Sequence, residues 1–180
     1  IGKDIMIQEK KDEVNARLEV SREEYLERLS VDDRGNLRAV ENGFRETLSR
    51  MSRKGNLFAV AGTIREPLPR KDIDVIVALE PHSTDRPIEQ FPTRYDHAVA
   101  EFEIHRKIVK QIVKKSNGVF QILQETPPAI DHMGDPEGAH LRHSGSITLK
   151  TDSTPIELIR TDLRTDEIKK KMTKPFVQLS

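Results

Sequence analysis

The chain contains no cysteine and no tryptophan, and only 4% of its residues are aromatic. Without cysteine, disulfides and thiolate metal sites are excluded, and a reducing, cytoplasmic setting fits that absence. Scarce aromatics argue against a stacking platform for single-stranded nucleic acid, which relies on aromatic faces. Net charge is missing as well, since 30 basic residues offset 30 acidic ones among 180. A neutral chain gives no general case for binding nucleic acid or an anionic membrane. No apolar run approaches the roughly 20 residues of a membrane span. The opening "IGKDIMIQEK" lacks the apolar stretch of a signal peptide. Its first residue is Ile1 rather than Met, which fits a start behind a removed or cropped segment.

What is present is enough chain for one domain with a core, or a small domain with a helical appendage. Residues 8–29 read as a helix, with Val14, Leu18, Tyr25 and Leu29 on one thin apolar face. "SVDDRGN" is expected to break it, and Asn36 to cap a second helix carrying Leu37, Val40, Phe44, Leu48 and Met51, with Gly55 at its end. "LFAVAG" (57–62) is a continuous apolar run, read as a buried strand. "DIDVIVALE" (72–80) is a second strand, and "PHSTDRPIEQFPT" an irregular flap.

Residues 95–115 form a helix with Val99, Phe102, Val109 and Val113 inward. Lys110, Lys114 and Lys115 suit its negative C-terminal end. "GVFQILQE" is a third strand, and "GSITLK" and "PIELIRT" make a hairpin across "TDST". The expected architecture is α+β: a mixed sheet flanked by helices and preceded by N-terminal helices. The boundaries are a helical segment at 1–55 packed on or beside the core, a core at 56–165, and a polar tail at 166–180.

Asp72 and Asp74 stand two residues apart on a strand, so both side chains leave one face, with Cα atoms roughly 7 Å apart. Unpaired, two such carboxylates repel and resist burial. A divalent cation between them removes the conflict, and Mg²⁺ favours a few carboxylate oxygens completed by water and substrate phosphates. A pair of such ions about 4 Å apart can clamp the attacking and leaving oxygens of a phosphoryl displacement. Glu157 is flanked by the apolar Ile156 and Leu158. It therefore sits alone on the polar face of its strand and is the third candidate ligand, with Asp162 a weaker one near the strand's end. Upstream, Gly62 lets backbone approach a ligand closely. The Thr63 hydroxyl with nearby N–H groups can hold a terminal phosphate. Arg65, Arg70 and Lys71 are cations of the same loop.

A strand ending in Gly-Thr, a loop, then Asp-x-Asp on the next strand resembles the nucleotidyltransferase superfamily that includes DNA polymerase beta. The later hairpin "SITLKTDSTPIELI", with its single acid, is similar to that pattern too, and the resemblance covers about residues 57–162. It implies that Gly62 and Thr63 contact a nucleoside triphosphate; Arg65 or Lys71, as cations of the same loop, are expected to help. It also implies that Asp72, Asp74 and Glu157 bind metal. Thr63 stands where the family more often has Ser, and Glu157 where it more often has Asp. No C-terminal helical domain of the kind larger members use to hold the acceptor is evident.

The function expected is Mg²⁺-dependent, or Mn²⁺-dependent, transfer of a nucleoside monophosphate from an NTP to an acceptor, with pyrophosphate released. Glu157 would accept the acceptor's proton. The acceptor is left open among a protein side chain, an RNA end and a small molecule. The rival reading is an inactive module of the same fold, a nucleotide sensor or an interaction partner through its N-terminal helices, which could also form a homo-oligomer. A polymerase fragment is disfavoured because binding a phosphate backbone needs a basic surface. Among the histidines, His132, His140 and His143 share the loop 131–143, whose Gly- and Pro-rich composition suits zinc geometry poorly. One option for that loop is that it borders the active site and touches substrate; its role is left open. His97 and His105 read as surface or boundary residues, and "KKKMTK" as solvated.

Overall fold

The computed structural model describes residues 18–60, 72–130 and 141–180. Its elements are α1 (Arg22–Arg28), α2 (Val31–Arg50), β1 (Gly55–Val60), β2 (Ile73–Leu79), α3 (Arg94–Lys115), β3 (Gln121–Thr126), β4 (Ala129–Ile130), β5 (Leu141–His143), β6 (Ser146–Lys150), β7 (Ile156–Arg160), α4 (Thr165–Lys171) and β8 (Phe176–Gln178). Six strands form one sheet in the order β3-β6-β7-β2-β1-β8, and β4 pairs with β5 apart from it. The pair β2–β7 is parallel, whereas β1–β2, β1–β8, β3–β6 and β6–β7 are antiparallel. The class is α+β with a mixed sheet, as the order of elements implied. No helix among the described residues is long and apolar enough to cross a membrane.

The hydrophobic alternation of β2 governs the core. Ile73, Val75 and Val77 are buried and pair with Ile156, Leu158 and Arg160 of β7, so these six share one face. Helix α3 lies against that face, and its buried His105 donates from Nε2 to Leu158 O at 2.9 Å. Leu37, Val40, Phe44 and Leu48 of α2 join Phe102, Ile108 and Ile112 of α3 in the same apolar cluster.

Several local expectations give way. The single helix expected over 8–29 lies outside the described residues up to 17, and beyond them it is interrupted. Glu19 bridges to Phe176, Val20 N donates to Phe176 O, and Ser21 caps a new helix, α1. "SVDDRGN" does not break the chain. Ser30 caps α2 by accepting from Asp33 N at 3.1 Å, with Asp32 and Asp33 favourably placed in the first turn. Asn36 lies inside the helix rather than capping it, held by Asp152 at 2.8 Å. Gly55 does not end α2 either: Ser52 takes the left-handed turn. Gly55 opens β1, where an added Cβ would come within 2.7 Å of Ala78 O.

The inward face of α3 is Ala98, Phe102, His105, Ile108, Val109 and Ile112, while Val99 is 38% exposed. The flap after β2 is anchored, because Asp85 binds the Arg53 guanidinium through both oxygens. Part of the loop following β3 is ordered as β4 and β5. The C-terminal stretch expected as a polar tail is built into the sheet. Ile168 of α4, and Phe176, Val177 and Leu179 at β8, are all buried.

Candidate metal centre

The parallel register of β2 and β7 places Asp74 opposite Glu157, and neighbours in register project from one face. Asp72 lies one strand period earlier and adds a third carboxylate. Each of the three offers an oxygen, and these atoms all lie within 4.8 Å of one another. This face is opposite the one covered by α3, and all three acids remain partly exposed. The hairpin β6–β7 sets the position of Glu157, since Thr148 of β6 pairs with it.

Such crowding shows in the protonation of Asp74. Burial pushes its carboxyl up to about 6, and the charges of Asp72 and Glu157 push the same way. A hydrogen bond with Glu157, which two carboxyls can make only by sharing a proton, adds to the rise, while Lys174 opposes it. The group is therefore strained by its own charge. A divalent cation would offset that repulsion, and a donor set made wholly of carboxylate oxygen is the kind that hard cations take.

Asp162, the weaker candidate, is not part of this cluster. It lies beyond the C-terminal end of β7, where Arg160 Nη1 donates to it at 2.5 Å. Gly62, Thr63, Arg65, Arg70 and Lys71 lie outside the described residues. What is described is the strand that leads to them. Ala59 pairs with Val75 in the antiparallel β1–β2 ladder, so β1 ends beside the residues that open β2. His132 and His140 also lie outside the described residues. His143 accepts from Gly145 N at 3.0 Å, a local turn contact.

Lys174 is a residue that sequence reasoning passed over. It belongs to the basic run read as solvated, and it reaches the field of Asp74 only because β8 returns to pair with β1. No spacing in the sequence signals that return. Of the two histidines read as surface or boundary residues, His97 is half-buried and packs edge-on to Phe91, whereas His105 is 1% exposed and belongs to the core.

No family model matches the chain, and no curated protein matches it. The chemistry of the centre therefore rests on its own geometry.

Proposed function

We propose that the protein is a nucleotidyltransferase that uses Mg²⁺, or Mn²⁺ in its place, at Asp72, Asp74 and Glu157. The observation that carries this reading is the convergence of three carboxylates from two adjacent parallel strands onto one partly exposed face. A bound divalent ion would supply charge neutralisation for triphosphate oxygens. Asp74 and Glu157, fixed by the β-ladder, would hold that charge in place without reorganisation, which is where most of the rate in phosphoryl chemistry arises. Gly62 and Thr63, which come soon after β1 in the sequence, would seat the triphosphate, with Arg65 and Lys71 as further cations of the same stretch. Lys174 adds positive charge from the β8 side. An acceptor oxygen would attack the α-phosphorus, its proton passing to a Glu157 oxygen, while the bond to the β-phosphate oxygen breaks and pyrophosphate leaves. The acceptor is a protein side chain, an RNA end or a small hydroxyl compound.

The test is thermal melting with each of ATP, GTP, CTP and UTP, with and without Mg²⁺. It is joined to pyrophosphate release with RNA, protein and small alcohols offered as acceptors. One NTP with Mg²⁺ should raise the melting temperature of the wild type, as a ligand bound only by the folded state does. Asp74→Asn should abolish that shift and lower turnover by about 100-fold or more. An Asp74→Asn protein with full transferase activity would sink the reading. A shift without pyrophosphate release would instead mark a nucleotide sensor.

A further inference from the structure

A cleft of about 370 Å³ lies between α2 and α3. Clefts that take small ligands span about 300–1,000 Å³. Thr47, Arg50 and Met51 at the end of α2 form one wall, and Lys107, Lys110, Gln111 and Lys115 of α3 form the other. Each set is spaced by three or four residues, so each is one helix face. Helix α3 covers the side of the sheet away from Asp74 and Glu157, and α2 packs on α3, with Ile112 3.4 Å from a Cβ built on Gly43. The cleft is therefore not part of the carboxylate centre.

The charge of this lining has one sign. Four of its seven residues are cations and none is a carboxylate, although the chain as a whole is neutral. Glu46 stands beside the cleft and pairs with two of the four, Arg50 Nη2 and Lys115 Nζ, each at 3.0 Å. Lys107 and Lys110 are exposed and have no ion partner among the described residues. Glu103, one turn before Lys107, is taken by Arg106. The C-terminal ends of α2 and α3 each add about half a negative charge. Lys114 and Lys115 answer it in the last turn of α3. At the end of α2, the Thr47, Leu48 and Ser49 carbonyls accept from the N–H groups of Met51, Arg53 and Ser52. Lys107 and Lys110 come before the last turn of α3, beyond the reach of the dipole, so helix ends do not account for them. With Glu46 and both helix ends counted, roughly two positive charges stay unanswered.

Between these cations the exposed surface is almost wholly carbon. Met51 supplies part of it, and the lysines the rest, because a lysine lays its methylene stem along apolar surface and keeps its charged head in water. An inorganic anion would leave that carbon uncovered, and a neutral apolar compound would leave the cations unanswered. A polynucleotide is held by cations that track its backbone and by aromatic faces, whereas here the cations gather at one cleft with no aromatic residue in its lining. We infer that this cleft binds a small organic anion, a carboxylate or sulfonate head on an apolar body. The head meets Lys107 and Lys110, and the body covers Met51 and the lysine stems. The inference does not depend on the nucleotide reading of the carboxylate centre.

Calorimetry and thermal melting at low salt test it, with octanoate and naphthalene-2-sulfonate as probes. Octanol and 2-naphthol carry the body without the charge, and acetate and inorganic phosphate carry the charge without the body. At least one probe should bind saturably and raise the melting temperature, while its uncharged analogue and the two small anions do not. Preference for octanoate marks an acyl ligand, and preference for the sulfonate an aromatic one. Lys107→Gln and Lys110→Gln together should weaken binding by about tenfold, the loss expected for two exposed ion pairs. Both side chains are exposed, so the fold should stand. Gln111→Glu, which sets a carboxylate in the lining at unchanged size, should weaken binding as well. Asp74→Asn should leave it unchanged, so failure here is separable from failure of the nucleotide reading. No binding by either probe, or binding that survives the paired lysine substitution or Gln111→Glu, overturns the inference. So does equal binding of the uncharged analogues, of phosphate or of single-stranded RNA, which would show that apolar surface or charge alone is read.

Discussion

At the residue scale, Asp74 and His105 respond to acid in opposite ways. Burial and the neighbouring carboxylates push the Asp74 carboxyl up to about 6 in the folded protein, from an ordinary 3.8. Between these values the folded state holds a proton that the unfolded state has released, so this group stabilises the fold as pH falls through that window. His105 titrates near 4 when folded, against 6.5. Between those values the unfolded state binds the extra proton, so this group destabilises the fold as pH falls. From about pH 6 to pH 4 the two nearly cancel. Asp74→Asn removes one side, so the variant should lose stability on acidification more steeply than wild type, by up to about 1.4 kcal/mol per pH unit. At neutral pH it should be the more stable protein by about 1 kcal/mol, after allowing for solvent screening of a half-buried group. Urea unfolding across the range checks both, and parallel stability curves would show that Asp74 is not strained. Divalent-cation affinity of the wild type should fall below about pH 6, because protons then compete for Asp74.

At the element scale, the N-terminal end of α2 holds the β6–β7 turn. Asp33 is 1% exposed and accepts from both Thr154 N and Thr154 Oγ1 at 3.0 Å. One helical turn on, Asn36 donates to Asp152 in the same turn. These contacts fix the chain just before Glu157. Asp33→Ala leaves the Thr154 N–H without its acceptor and should cost about 2 kcal/mol, read as a lowered urea midpoint with unchanged slope. It should also weaken cation binding at the carboxylate centre. A variant as stable as wild type would mean that the turn holds itself, through Thr151 Oγ1 donating to Thr154 O.

At the scale of the whole molecule, the C-terminal strand closes the fold. β8 pairs with β1, and Leu57 exchanges backbone hydrogen bonds with Ser180 and Leu179. Phe176 meets Phe58 at 6.3 Å between ring centroids. Removing residues 175–180 would strip Phe176, Val177 and Leu179 from the core, each a side chain whose burial stabilises by about 2 kcal/mol. That sum is comparable to the whole stability of a domain. The truncated chain should therefore lose its cooperative melting transition and aggregate through the bared β1 edge. Circular dichroism and size-exclusion chromatography decide it, and a truncated protein that melts cooperatively would show β8 to be dispensable.

The sequence by itself determined the α+β class, the strands around Asp74 and Glu157, and the hairpin that carries Glu157. These are properties of alternation and turn chemistry over a few residues, and the carboxylates lie where such local rules operate. Asp72 and Asp74 share a face because a strand has a period of two, whatever surrounds it. Only the tertiary structure decided which strands meet. The parallel pairing of β2 with β7 draws three acids from distant parts of the chain within 4.8 Å. The return of β8 brings Lys174 toward them, and the docking of α3 turns His105 from an apparent surface histidine into a buried one. The break before Ser21 was set in the same way, by contacts of Glu19 and Val20 with Phe176. Partners so far apart in sequence leave no periodic trace, because their contact energy appears only once the sheet order exists.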